Sequence, residues 1–233
     1  MKRLSLIFVL CFVVSTSHAQ VILSLLFGDQ LNTGRVEFGL DGGMNLATLS
    51  GIAGAENLAA WNLGFYFDIK LNNPSWMVHT GVIVKSTLGA DDLPVYPLND
   101  RNLDSAFKGG SVRTTLQHFD VPVMLKYKFD NNVFLEGGVV AGLLYGATDE
   151  FRNSVQGKDD LKFDRDVKND YHPLDAGIMF GTGYRLFGAE GINLGIRYYY
   201  GLVDISVDDS GPGIYNRAVY FTVGVPIGAA SEK

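Results

Sequence analysis

Apolar and polar residues alternate along this chain in segments of about ten residues. In "FDVPVMLKYKF" (119–129), one parity is apolar or aromatic, and the other parity carries Asp120, Lys126 and Lys128. Successive side chains of an extended chain point to opposite faces, so such a segment is a strand with one apolar and one polar face. The same alternation recurs at 35–46, 61–71, 76–85, 133–145, 175–186, 192–202 and 218–227. The pattern predicts an all-β chain of about eight strands.

The length of these strands and of their connections favours a membrane barrel. Strands of about ten residues suit a tilted membrane crossing, whereas strands of soluble proteins are usually about five or six residues long. Short connections at 72–75, 130–132 and 187–191 alternate with long connections. The long ones are 50–60, 89–113, 147–174 and 203–217. Short inner turns and long outer loops are typical of outer-membrane barrels, so we predict an up-and-down antiparallel transmembrane β-barrel of about eight strands.

The two faces of the predicted strands are expected to meet lipid and lumen. The apolar parity carries no Lys, Arg, Asp or Glu within these segments, which suits a lipid-facing surface. The polar parity carries both signs of charge in balance, and an eight-stranded barrel has an interior that side chains just fill. Because buried charges must be paired, we predict a closed lumen with a polar network. Its members are predicted to be Glu37, Asp41, Asp68, Lys70, Lys85, His118, Asp120, Lys126, Lys128, Glu136, Asp175, Arg185 and Arg197.

Aromatic residues near the strand ends predict two belts at the membrane interfaces, where Trp and Tyr are enriched. The inner belt, next to the short turns, is predicted to contain Trp76, Tyr127, Phe129 and Tyr184. The outer belt is predicted to contain Trp61 and Tyr145, which precede or follow long connections.

The N-terminal residues have the form of a secretory signal peptide over residues 1–19. Lys2 and Arg3 precede an apolar run, and a small-residue site predicts cleavage between Ala19 and Gln20. The other interpretation, a buried N-terminal helix, explains this arrangement less well. Residues 20–34 then form a segment before the barrel, either a short amphipathic segment or a plug. The barrel is predicted over 35–228, with a tail at 229–233.

Composition narrows the function classes. The chain has 19 Lys and Arg against 25 Asp and Glu, and without Lys2 and Arg3 the balance is 17 against 25, or −8. This acidic balance argues against a nucleic-acid partner, which requires a basic surface. The only cysteine lies in the predicted signal, so no disulfide is expected in the exported part. No later stretch is apolar enough for a helical membrane span.

Three motifs resemble the PorT-like family of small, porin-like outer-membrane β-barrels. They are "FGLDGGMNLATLSG" (38–51), "FDVPVMLKYKF" with "VFLEGGVVAGLLYG" (133–146), and the closing "NRAVYFTVGVPIG" (216–228). The resemblance implies a bacterial outer-membrane location, and outer-membrane lipid, lipopolysaccharide and the barrel-assembly machinery as partners. Members usually end on an aromatic strand residue, but this chain ends its last strand at Pro226-Ile227-Gly228 and continues with "AASEK". The assembly signal is therefore expected to be degenerate or displaced.

The sequence contains few candidates for a catalytic or metal-binding site. His79 and His118 lie on the polar parity, but at opposite ends of the predicted barrel, which is too far apart to share a metal. Ser111, His118 and Asp120 lack the spacing of a nucleophile motif such as G-x-S-x-G. We therefore predict no enzyme, no cofactor and no metal site. The expected role is structural or interaction-based, with the long loops as working surface and an extracellular or periplasmic protein as possible partner. The alternatives are narrow porin-like transport of small solutes and an outer-membrane enzyme.

Overall fold

The computed structural model describes residues 34–155, 158–186, 191–208 and 210–227. The predicted signal peptide with its cleavage site at Ala19 and Gln20, nearly all of the segment 20–34, and the tail 229–233 lie outside these residues. The elements are β1 (Val36–Ser50), β2 (Leu58–Lys70), β3 (Trp76–Pro94), α1 (Arg101–Ala106), β4 (Ser111–Lys128), β5 (Val133–Val155), β6 (Lys158–Asp166), β7 (Leu174–Arg185), β8 (Asn193–Gly201) and β9 (Tyr215–Pro226). A short 3-10 turn, Lys168–Asp170, follows β6.

Eight of these strands close into a ring in which sequence neighbours pair antiparallel. The order runs β4-β3-β2-β1-β9-β8-β7-β5, and pairing of β4 with β5 closes the ring. β1 pairs with β9 over the register from Gly39↔Pro226 to Ser50↔Tyr215, so the first and last strands are neighbours. The prediction of an up-and-down antiparallel barrel of about eight strands is confirmed.

The ring has an apolar outer surface because side chains of one parity point outward. Leu63, Val139 and Phe180 are each more than half exposed on this surface. In a bilayer they would contact lipid, which removes the cost of exposing them to water. No helix in the described part of the chain has the length and hydropathy to cross a membrane.

Two β-bulges mark where β3 and β5 leave the barrel wall. One lies between Ile83 and Ser86 in β3. The other lies at Tyr145 in β5, which is the extra residue between Leu144, paired with His118, and Gly146, paired with Gln117. A bulge inserts one extra residue and so reverses which parity points inward. Beyond the bulges, β3, β4 and β5 continue as one sheet and β6 adds to its edge. We call the structure beyond the Leu88–Leu116 pair, together with the β8–β9 connection, the cap; it comprises 89–115, 148–155, 158–173 and 202–214.

The cap corrects the expectation that the long connections are simple loops. Much of 147–174 is the β5–β6 hairpin, with Phe151 paired to Phe163. Both ends of 89–113 are strand as well, since β3 extends to Pro94 and β4 begins at Ser111. These extensions form because residues of one parity, such as Val112 and Phe151, are apolar and bury against one another.

An aromatic cluster holds the cap together beneath α1. The ring of Phe107 lies 5.9 Å from that of Phe151 and 6.4 Å from that of Phe163. Tyr96 completes the cluster, 4.9 Å from Phe151. Asp100 caps α1 by accepting hydrogen bonds from two backbone amides of its first turn. The cap is therefore a packed structure that continues the barrel wall.

Candidate functional site

The inner end of the barrel, which carries the short turns, holds an ion-pair network. Asp68 is fully surrounded by protein and accepts two hydrogen bonds. One comes from Lys126 Nζ at 2.8 Å and the other involves His79 Nδ1 at 2.6 Å. Lys126 also lies 4.2 Å from the ring centre of Phe134, which adds a cation–π contact. Both oxygens of the buried Asp68 carboxylate are thus satisfied.

Arg197 joins two further carboxylates to this network. Its Nε donates to Glu136 and its Nη1 donates to Asp41, and all three side chains are buried. Its Nη2 lies 3.3 Å from His79 Nε2. A guanidinium can only donate, so Nε2 of His79 must accept and Nδ1 must donate to Asp68. His79 thereby links the Asp68 pair to the Arg197 cluster.

A third ion pair lies at the mouth of the inner end. Arg185 binds Glu37 through two parallel hydrogen bonds of 3.0 and 2.7 Å. Tyr66 donates to the same carboxylate at 3.0 Å, and Asn193 donates to the Tyr66 hydroxyl at 3.3 Å. The ring of Tyr66 stacks on that of His79, with centres 5.5 Å apart. We call this connected set the inner network; it comprises Glu37, Asp41, Tyr66, Asp68, His79, Lys126, Glu136, Arg185, Asn193 and Arg197.

Inward-facing glycines make room for these large side chains. A Cβ at Gly181 would lie 2.8 Å from Cγ of Arg197. A Cβ at Gly142 would lie 2.6 Å from Oδ1 of Asp120. A Cβ at either position would force the neighbouring side chain to shift, so glycine leaves the space that Arg197 and Asp120 occupy in the lumen.

A polar layer lies above the inner network, near the middle of the barrel. Asp120 and Asp175 face each other across Gly142, which pairs with both of them in register. Asp175 accepts from Asn216 at 2.9 Å, and Ser86 hydrogen-bonds to Asp120. The partners of these two carboxylates are neutral, unlike those of the inner network.

Most of the remaining interior is apolar. Its buried members include Leu88, Leu116, Met124, Val140, Leu144 and Met179, and they continue into the cap through Val112 and Phe151. We call this cluster the outer core. Beside the inner network remains a cavity of about 10 Å³, lined in part by Asp41, His79 and Arg197. That volume is near the lower limit for one water molecule.

Three of the predicted network lysines lie elsewhere. The prediction that Lys85 faces the lumen is wrong: it sits in the β3 bulge and is exposed, because the extra residue reverses the parity there. Lys70 is exposed at the inner end, where its Nζ donates to the Gly34 carbonyl at 3.3 Å, and Lys128 is half-buried at the end of β4. The expected balance of charges inside the barrel is therefore also wrong, since acidic side chains outnumber the basic ones there.

The remaining predicted lumen residues point inward. His118 is buried near the bulges, paired in register with Ser86. Those buried in the interior are Asp41, Asp68, His118, Asp120, Lys126, Glu136, Asp175, Arg185 and Arg197, and Glu37 is partly buried. His79, Tyr66 and Asn193 also stand on the polar parity, and the structure places all three in the inner network.

The aromatic residues proposed for the belts lie at two ends of the barrel. Trp76 lies 4.8 Å from Tyr127, whose ring is 4.7 Å from that of Phe129, all beside the short turns. Tyr184 pairs with Val133 at the same end. At the other end, Trp61 is 63% exposed, and Tyr145 packs 4.5 Å from Phe119.

The histidines and the serine singled out for chemistry are far apart. Ser111 and His118 are seven positions apart on one strand, which separates them by roughly 23 Å. His79 pairs with Met124, six positions further along the same strand than His118. Among the described residues, no group of three His, Cys, Asp or Glu side chains could hold a metal ion.

The cap contains an open cleft of about 430 Å³. On its floor, Asp149 accepts from Tyr96 at 2.7 Å and from Thr114 at 2.5 Å. Burial, followed by the hydrogen bond to Asp149, raises the pKa of Tyr96 well above its usual value, so this hydroxyl remains a donor. Burial and the Asp149 carboxylate likewise raise the pKa of Tyr171. The lining consists of Tyr96, Asp149, Val167, Asn169, Asp170, Tyr171, Ser206, Val207, Asp208 and Ile214.

Residues 27–207 match the family model for the outer membrane protein beta-barrel domain. The match covers most of the chain, so the protein belongs to this family. Proteins of this family reside in the bacterial outer membrane, which places the lipid-facing surface in that membrane and in contact with its lipids. No curated protein matches the chain.

Several solved structures are similar to this chain at low identity. One is Ail, the attachment invasion locus protein of Yersinia pestis, which was solved in complex with the heparin analogue sucrose octasulfate. Ail is 12% identical to this chain, and the match covers 82% of this chain and 97% of Ail with a TM-score of 0.41. Neisserial surface protein A is 10% identical over 81% of this chain and 96% of its own, with a TM-score of 0.40. AlkL, solved in DMPC bilayers, is 13% identical over 87% and 96%, with a TM-score of 0.33.

Proposed function

We propose that this protein is a closed barrel with a structural or interaction role, which anchors a binding cap at the cell surface. The observation that carries this proposal is the filled interior. The inner network, the Asp120 and Asp175 layer and the outer core succeed one another along the lumen. A lumen packed in this way holds side chains in fixed positions and leaves no wide path for solutes.

The form of the cap supports the second part of the proposal. Its strands continue directly from the barrel wall, and its aromatic cluster around Phe151 belongs to the same apolar core as Leu116 within the barrel. A surface held on a rigid scaffold can bind a ligand with little loss of conformational entropy. Long connections face outward in such barrels, so the cap is the surface that meets the exterior.

The finer family and processing assignments are part of this proposal. The three motifs that resemble PorT-like barrels support membership of that branch. The proposal also includes export by a signal peptide that ends at Ala19, which the N-terminal residues support, and folding by the barrel-assembly machinery, which the resemblance implies. Lipopolysaccharide would surround the outer part of the barrel, and the cap is the candidate surface for a protein partner.

Photo-crosslinking in intact cells tests the interaction role. A photoreactive amino acid is placed at Asn169, which is exposed in the cap, and separately at Asn131, which is exposed in an inner turn. We expect discrete adducts from position 169, abolished by protease treatment of the cell surface, and no adduct of the same size from position 131. Adducts from position 131 alone, or solute uptake into liposomes that contain the protein, would overturn the proposal.

A further inference from the structure

The cleft of the cap has the size of a small-ligand site. Its volume of about 430 Å³ lies within the range of about 300 to 1,000 Å³ that such sites occupy. Its walls come from four separate parts of the chain: the segment after β3, the outer half of β5, the turn after β6, and the β8–β9 connection. All of them converge above the Asp149 floor, and the cleft is open to the outside.

The charge of the cleft has one sign. The lining contains three carboxylates, Asp149, Asp170 and Asp208, and no Lys or Arg. Asp149 is occupied by two hydroxyl donors of the protein itself. Asp170 and Asp208 are exposed at the rim. Hydrogen bonds from Ser210 hold the pKa of Asp208 below its usual value, so it is ionised at neutral pH.

A guanidinium group of the protein already contacts this wall. The guanidinium carbon of Arg165, on β6, lies 5.3 Å from the ring centre of Tyr96, within cation–π range. Its Nη2 is 4.0 Å from Oδ2 of Asp170, which is longer than a hydrogen bond. Tyr96 therefore accepts a planar cation on one face, while the Asp170 carboxylate keeps capacity for a stronger partner.

We propose that the cleft binds an organic cation with a guanidinium group, held between the two tyrosines and the carboxylates Asp170 and Asp208. This deepens the proposed function and rests on it. A carboxylate binds a guanidinium through two parallel hydrogen bonds, and an aromatic face stabilises the same group. A metal ion is the poorer fit, because no group of three His, Cys, Asp or Glu side chains in the described residues could hold one. The guanidinium can belong to a free small molecule or to an arginine side chain of a peptide.

Calorimetric titration of the purified, full-length protein in detergent tests this inference. The probes are arginine amide, as the free small molecule, and a blocked Gly-Arg-Gly peptide, as the side-chain source. Citrulline amide, which replaces the guanidinium by a neutral urea of the same shape, is the matched control. We expect binding of at least one arginine probe, with citrulline amide weaker by about tenfold or more because it lacks the charge-assisted hydrogen bonds. The stronger of the two arginine probes identifies the source.

Four variants locate the binding. Asp170→Asn and Asp208→Asn should each weaken the arginine probe by about fivefold to tenfold, because each removes a carboxylate at the rim. The control is Asp164→Asn, which removes a carboxylate from an exposed position on β6 outside the cleft lining. It should leave binding unchanged. Arg165→Ala should strengthen binding several-fold, because it removes a cation that competes for the Asp170 carboxylate. The shift of the folded band on unheated gels verifies that each variant folds.

The outcomes separate this inference from the proposed function. Equal binding of citrulline amide, or full affinity in both Asp170→Asn and Asp208→Asn, overturns the guanidinium site. Absence of binding by both arginine probes, together with surface adducts from position 169, also overturns the site but leaves the binding role of the cap in place. Absence of both binding and adducts overturns the site and the proposed function together.

Discussion

The two halves of the barrel interior are filled by different chemistry. In the inner network, the single side chain of Arg197 makes hydrogen bonds to three residues, Asp41, Glu136 and His79. Every other member also makes a hydrogen bond to another member of the network. In the outer core, Leu88 and Leu116 are 1% exposed and make apolar contacts that have no required partner. Both halves close the lumen of the same ring of strands.

This difference predicts different responses to mutation. Desolvating an ion pair is costly, and removal of one partner leaves the other charge buried without compensation. Loss of an apolar side chain costs transfer free energy and leaves a cavity whose size depends on how far the surroundings relax. Removal of a single partner from the inner network should therefore cause a large loss in the free energy of unfolding. In the outer core, the loss in the free energy of unfolding should grow with the side-chain volume removed.

Replacement of Arg197 should give the largest effect. Arg197→Met strands the buried carboxylates of Asp41 and Glu136, so we expect a loss of about 3–5 kcal/mol in the free energy of unfolding. Urea unfolding in detergent, followed by the gel shift of the folded form, measures it. The matched control is Arg113→Met, which breaks an ion pair with Asp91 in the cap where Arg113 is 37% exposed, and should cost less than about 1 kcal/mol. Equal effects of the two variants would contradict the distinction.

Truncation in the outer core should rank second. Leu88→Ala removes a side chain that is 1% exposed, and we expect a loss of about 3 kcal/mol in the same unfolding measurement. Leu125→Ala on the lipid-facing surface, where the side chain is 46% exposed, should cost about 1 kcal/mol. If Leu88→Ala cost no more than Leu125→Ala, the interior would be loosely packed there.

The ion pairs on the outside of the cap should contribute least. Asp91 binds both Arg113 and Arg152, and these side chains are partly exposed. Asp91→Asn should cost about 1 kcal/mol at low salt, and the cost should shrink as salt screens the exposed pair. Unfolding at low and at high ionic strength measures this. A loss of the size seen for Arg197→Met, unaffected by salt, would show that the cap depends on buried charge as the inner half does.

The alternation of residues gave the ring of eight strands because its period of two is a local property of each strand. The same property explains the error at Lys85. A single extra residue in the β3 bulge reverses the parity, and bulges leave little trace in the sequence. The β5–β6 hairpin was recoverable in part, since Leu161 and Phe163 alternate with charged residues.

Such local patterns could not predict the cleft. Tyr96, Tyr171 and Asp208 come from three different connections, and they meet only because the strand registers set where each connection begins. The partners of Arg197 are likewise distant in sequence, at 156 positions from Asp41 and 61 from Glu136. Periodicity indicated that these residues face inward but could not indicate which carboxylate each cation binds.

Conductance of the purified protein in planar lipid bilayers tests the central claim most directly. The cavity beside Arg197 in the inner network has a volume of about 10 Å³, which is too small for a continuous water path. We therefore predict no steady conductance above the background of the bare bilayer, at either polarity. A stable, ion-selective current from the protein would contradict the closed lumen and would make narrow solute transport its leading function.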